Sequence, residues 1–99
     1  MTKIEYKIKF KDTLDALKEY YREDLDILVN RANLVTRLER KTVGIFNFLD
    51  FIKDILINWD ILALIIKFNS VEYKLISEID DIFQQSDLSI DEFIEAIND

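Results

Sequence analysis

Lys3-Ile4-Glu5-Tyr6-Lys7-Ile8-Lys9-Phe10-Lys11 is the stretch on which the fold class turns. Ile4, Tyr6, Ile8 and Phe10 alternate with Lys3, Glu5, Lys7, Lys9 and Lys11, and a period of two predicts a half-buried β-strand. The lysines would guard a sheet edge against indiscriminate pairing. A helical reading splits the same apolar residues into two diverging stripes, Ile4/Ile8 and Tyr6/Phe10, and fits less well. No second alternating segment follows, so a strand here has no obvious mate in its own chain.

Beyond Lys11 the period lengthens. Leu14, Leu17, Tyr21, Leu25, Leu28, Ala32, Val35 and Leu38 recur in steps of three or four, the spacing of one helix face. They predict a long helix over 13–40, or two helices meeting near Glu23-Asp24, with Asp12 or Thr13 as its cap. Arg37, Arg40 and Lys41 fall in the last turn, where cations favour the helix dipole. Thr42-Val43-Gly44 breaks the pattern, and Thr42 can cap a second helix. Its main stripe is Ile45, Phe48, Leu49, Ile52, Leu56, Trp59, Ala63 and Ile66. Phe51, Ile55, Ile57, Ile61, Leu64, Ile65 and Phe68 spread apolar character round the remainder. A helix apolar nearly all round is central in its domain or shared with a partner. Asn58 and Asp60 mark a kink or restart, with a second strand over Asp60–Phe68 as the alternative.

Asn69 with Glu72, and Ser89 with Glu92, have capping-box spacing and start two further helices. Val71, Leu75, Ile76, Ile79, Ile82 and Phe83 face the core in the first, which ends at Gln84-Gln85-Ser86. Ile90, Phe93, Ile94 and Ile97 do so in the second. The expected fold is a single domain over 1–99, mainly α. It is a compact bundle of about four helices with one short N-terminal strand, and Ile52, Leu56, Ile79 and Phe83 lie in its core.

Composition narrows the chemistry. Of 99 residues, 49% are hydrophobic and 33% charged, enough for one core under a charged surface. With no Cys there is no disulfide framework and no thiolate; with no His the commonest general base and metal ligand are gone. A single glycine, Gly44, rules out both phosphate-binding glycine motifs. Asp81 to Glu92 resembles a calcium-binding EF-hand loop at its ends, through Asp81, Leu88, Ser89 and Glu92. Its middle fails, because Phe83, Gln85 and Ser86 stand where oxygen ligands and the turn glycine belong. Glu23-Asp24-Asp26 and Asp80-Asp81 read as solvated faces. Paired carboxylates for glycoside hydrolysis would need a cleft that so short a chain has little room to build. No catalytic, cofactor-binding or metal-binding residue and no cofactor is assigned, and an enzyme is not expected.

No membrane segment is predicted either. Asp50, Lys53, Asp54, Asp60 and Lys67 interrupt the most apolar stretch, Ile45–Phe68, and the residues after Met1 are charged too early for a signal peptide. A cytoplasmic location is the expectation. Ile, Lys and Asn make up 31 residues, the bias of an AT-rich genome, which suggests a viral or mobile-element accessory protein in a host cytoplasm.

Charge is uneven along the chain. Residues 1–41 carry ten Lys/Arg against eight Asp/Glu and residues 42–99 three against twelve, so +2 and −9 make the net −7. Such a C-terminal half repels nucleic acid and suits a basic protein partner. Asp87, Asp91 and Glu95 are the candidate partner-binding residues, joined by Tyr73, which like Tyr20 falls off its helix's apolar face. The unmatched strand and the over-apolar helix together predict a homodimer. Ile4, Tyr6 and Ile8 would pair antiparallel with their copies, and Trp59 would add a second contact. The expected function is a small acidic, non-enzymatic protein–protein interaction module. The alternatives are an assembly factor acting as a homo-oligomer and a carboxylate-based metal enzyme.

Overall fold

The alternating segment is helical, not a strand. In the computed structural model, which describes residues 3–39 and 47–98, Lys3–Glu23 form one 21-residue helix, α1. Tyr6, Phe10, Leu14, Leu17 and Tyr21 lie at helical spacing on its inner face, and Phe10 and Leu17 are fully buried. The strand reading failed because period two was tested over nine residues, whereas the Tyr6/Phe10 stripe continues in register through Tyr21. Ile8, from the competing stripe, is 57% exposed. A helix also satisfies its own backbone, which removes the need for a strand partner. Thr13 sits inside α1, its hydroxyl donating to the Lys9 carbonyl at 2.9 Å, so neither it nor Asp12 caps a helix.

Five more helices follow: α2 (Leu25–Glu39), α3 (Phe48–Ile57), α4 (Trp59–Ile66), α5 (Ser70–Ser86) and α6 (Ile90–Asn98). There is no strand among the described residues, and Asp60–Phe68 is α4 and the turn after it. The count exceeds four because two long predicted helices are each broken once. Asp24 separates α1 from α2, and its carboxylate accepts from the Ile27 N–H at 3.3 Å, capping α2. Asn58 separates α3 from α4: its amide donates to the Asp54 carbonyl at 2.9 Å, and its own carbonyl accepts from the Leu62 N–H at 2.9 Å. One side chain thus ends α3 while its backbone starts α4.

Of the remaining boundaries, those of α5 and α6 are capped at the residues the sequence suggests, whereas α3 is capped at Asn47. Asn47 accepts from the Leu49 N–H at 2.9 Å to open α3; Thr42, the expected cap, lies outside the described residues, as do Arg40, Lys41, Val43, Gly44 and Ile45. Asn69 accepts from the Glu72 N–H at 3.2 Å to open α5. Ser89 and Glu92 exchange both capping-box bonds, at 3.2 and 3.4 Å, to open α6. Between α5 and α6, Asp87 adopts the left-handed conformation (φ 58°) that commonly closes a helix C-terminus.

α1 packs along α5 as the backbone of the bundle, with α3 against α6 and α2, and α4 against α5. Phe93 of α6 sits at the centre of an aromatic group, with Phe83 at 5.2 Å, Phe10 at 5.3 Å and Tyr6 at 6.2 Å between ring centroids. Ile52, Leu56 and Ile79 are buried as expected; Phe83 is half-buried at the core's margin. The Cα radius of gyration, 13.0 Å, matches the roughly 13 Å of a folded chain of this length.

Candidate functional site

Two features depart from the ordinary distribution of polar groups outside and apolar groups inside. The first is a buried charge. Glu72 belongs to the first turn of α5, and its helical neighbours on the same face are Ile76 and Ile79, so the carboxylate enters the core with no exposed surface. Its Oε2 accepts from the Tyr21 hydroxyl at 2.6 Å, and its Oε1 accepts from Arg31 Nε at 2.8 Å. Asn69, which caps the helix through Oδ1, donates from Nδ2 to the Tyr20 hydroxyl at 2.6 Å. The cluster therefore ties α1, α2 and the N-terminus of α5 together. Burial beside the Glu72 carboxylate pushes the Tyr21 phenol far above its ordinary range. The group is fully engaged: among the described residues no buried side-chain nitrogen or oxygen lacks a hydrogen-bond partner. Its geometry suits it to locking three helices rather than to chemistry.

The second feature is exposed oil. α4 buries Leu62 and Ile66 against the bundle, while Ile61, Leu64 and Ile65 point outward, and Ile57 and Phe68 extend the same stripe beyond its two ends. Leu64 is 65% exposed and Phe68 86%. The spacing i, i+3, i+4 places Ile61, Leu64 and Ile65 on one side of α4, with exposed Ile57 before the Asn58 break and exposed Phe68 in the turn after the helix. They offer on the order of 500 Å² of apolar surface, at the upper end of the largest patches on ordinary monomers. Asp60 and Lys67, both exposed, flank the stripe.

Of the expected partner-binding residues, Asp91 and Glu95 lie one turn apart on α6, and Asp91 is already engaged within the chain. Asp91 pairs with Lys53 of α3 at 2.7 Å, a hydrogen bond that raises the Lys53 ammonium above its ordinary range and clips α6 to α3. Asp87 serves the left-handed turn, and Glu95 is exposed on α6. Tyr73 is half-buried, its ring 5.7 Å from that of half-buried Trp59, so the two cover each other. Of the expected dimer contacts, Tyr6 is buried in the chain's own core and Ile8 is exposed on a helix; the side chain of Ile4 lies outside the described residues. Antiparallel strand pairing has no strand to act through.

The calcium-loop resemblance dissolves in the same way. Asp81 lies inside α5 and Glu92 in the first turn of α6, leaving only Asp87–Ser89 between the helices. No cluster of three potential ligand residues occurs among those described. Burial raises the Asp80 carboxyl above its usual range, opposed by a hydrogen bond from Gln84. A groove of about 380 Å³ between α1 and α5 is lined by Lys9, Asp12, Thr13, Glu78 and Asp81, mixed charges that are nearly all exposed. No helix among the described residues is long and apolar enough to cross a membrane.

No family model matches the chain, and no curated protein or solved structure is significantly similar to it.

Sequence reasoning saw Glu72 only as a capping residue and missed its two partners. The signal was present. Arg31 lies on the same face as Leu28 and Val35, and Glu72 on the face of Ile76 and Ile79, so each interrupts an apolar stripe with the opposite charge.

Proposed function

We propose that this chain is a non-enzymatic protein–protein interaction module that acts by covering a partner's surface, with the outer face of α4 as its binding surface. One observation carries the reading: Ile61, Leu64 and Ile65 are exposed on one side of α4, with exposed Ile57 and Phe68 just beyond its two ends, while Leu62 and Ile66 of the same helix are buried. Water-exposed apolar area on that scale is a standing cost that a partner removes, since burying it returns roughly 25 cal/mol per Å². The acidic surface of α5 and α6 would steer a basic partner without anchoring it, because Asp91 is already paired within the chain. An intracellular accessory role suits a module of this kind.

The test uses the purified chain as bait in an extract of its source organism. Wild type is expected to retain a defined partner that the Ile61→Glu variant loses, with the same helical circular dichroism in both. Equal retention by the two would rule out α4 as the binding surface.

A further inference from the structure

The stripe on α4 reads nearly the same in both directions about Ala63. Ile61 and Ile65 stand two residues to either side of Ala63, and Ile57 and Phe68 lie six and five residues from it. Its charged border is not symmetric but self-complementary. Asp60 and Lys67 are seven residues apart, two helical turns, so they lie on the same flank of the stripe roughly 10 Å from each other along the axis. In an antiparallel helix pair, like flanks face one another. In a parallel pair, opposite flanks do. A second α4 laid antiparallel over the first, with the two-fold axis near Ala63, therefore brings Asp60 of each copy opposite Lys67 of the other. Both contacts form at once along one edge of the interface, and the apolar residues of the two stripes meet beside them. Parallel packing makes neither contact. Lys67 already extends over the Phe68 ring, with Nζ 5.2 Å from its centroid, so its charge sits at the edge of the apolar surface.

We infer that the first occupant of the α4 face is a second copy of this chain, docked antiparallel about a two-fold axis at Ala63 and held in register by reciprocal Asp60–Lys67 pairs. The inference rests on the proposed use of α4 as a binding face and names the partner. An isologous contact of this kind closes on itself, giving a dimer and no larger assembly. It differs from strand pairing at the N-terminus, since α1 keeps its inner face for its own core.

Sedimentation equilibrium across the micromolar range, with melting followed by circular dichroism, tests it. Wild type should behave as a dimer of the 11.8 kDa chain. Leu64→Glu, at a position 65% exposed, should keep its helicity and weaken association by more than about a hundredfold, because two apolar contacts are lost and two charges are placed between the copies. Asp60→Lys and Lys67→Asp should each weaken it about tenfold by setting like charges opposite each other twice, and the double variant should recover wild-type association. A wild type that stays monomeric throughout overturns the inference. If Ile61→Glu still abolishes partner capture in that case, α4 remains a binding face for a different protein. If it does not, the functional reading falls too. A dimer indifferent to Leu64→Glu is not built on α4. A dimer lost in both single charge variants and not restored in the double overturns the antiparallel register.

Discussion

Glu72 at the start of α5 and Leu64 in the middle of α4 each occupy the environment expected of the other: the carboxylate is fully buried and the leucine is 65% exposed. The two exceptions have different consequences. The buried charge is answered inside the chain, by the Tyr21 hydroxyl and the Arg31 guanidinium together with the Asn69 cap on its own N–H. A buried ionic group so provided for adds little net stability over a well-packed apolar substitute, but it makes its partners indispensable to one another. The exposed residues of α4 and its ends keep 44–86% of their surface in water, with the Lys67 ammonium reaching over the Phe68 ring. A satisfied exception is therefore a structural lock, and the unsatisfied one is the surface we propose a partner covers.

The contrast is sharpest within α4, where leucines two positions apart face opposite ways. Leu62 is 2% exposed and packs on the bundle, so Leu62→Ala should cost about 2–5 kcal/mol through lost burial and a residual cavity. Leu64→Ala should change monomer stability by less than about 0.5 kcal/mol. Chemical denaturation checks both, compared at the lowest usable protein concentration so that self-association contributes least. Equal costs at the two positions would mean that α4 is rotated from the orientation described.

At the buried charge, removal of one partner should be felt by the rest. Arg31→Ala leaves the Glu72 carboxylate in the core with only the Tyr21 hydroxyl and its cap. Stripping a fully buried pair of one member typically costs about 3–5 kcal/mol; because the Arg31 side chain keeps 20% of its exposure, about 2–3 kcal/mol is expected. The midpoint of urea denaturation should fall with little change in its slope. An Arg31→Ala protein as stable as wild type would show that the cluster locks nothing.

How far these features were legible in the sequence depends on the length over which each pattern runs. The stripe from Leu14 to Tyr21, the restart at Asn58, the Asn69 cap and the Ser89–Glu92 capping box are local, and the structure follows them. At Lys3–Lys11 two periodicities coexist in nine residues. What decides between them is whether Tyr6 and Phe10 reach Phe93, a residue more than 80 positions away. The over-apolar character of α4 was legible, yet which of its residues face inward depends on the angle at which it docks on α5. The partnership of Glu72 with Arg31 spans 41 positions, and no local spacing can express it. Asp91 looked available in the sequence because its partner, Lys53, comes from another helix.

The subtlest expected effect separates the two regions by pH. Burial beside Glu72 raises the Tyr21 phenol, so the folded protein holds that proton where the unfolded chain, titrating near 10, has released it. The sign follows from linkage. A group whose folded value is raised contributes stability that is complete below the unfolded value and declines as pH rises through and beyond it. Between about pH 10 and the folded value, stability should therefore fall by up to about 1.4 kcal/mol per pH unit on account of this one proton. Lys53, also raised, by its bond to Asp91, adds a decline in the same alkaline range, so the measurement is a difference. Tyr21→Phe keeps the ring and removes the titrating group. Its stability is lower at neutral pH, because Glu72 loses a hydrogen-bond donor, but should decline less steeply above pH 10. The ultraviolet signal of tyrosinate should show the Tyr21 phenol ionising only as the chain unfolds, a component absent from Tyr21→Phe. The Leu64 side chain carries no titratable group. The alkaline slope of Leu64→Ala should therefore equal that of wild type at low concentration, whereas that of Tyr21→Phe should not. Parallel curves for wild type and Tyr21→Phe would mean that the phenol is not held in its buried bond to Glu72.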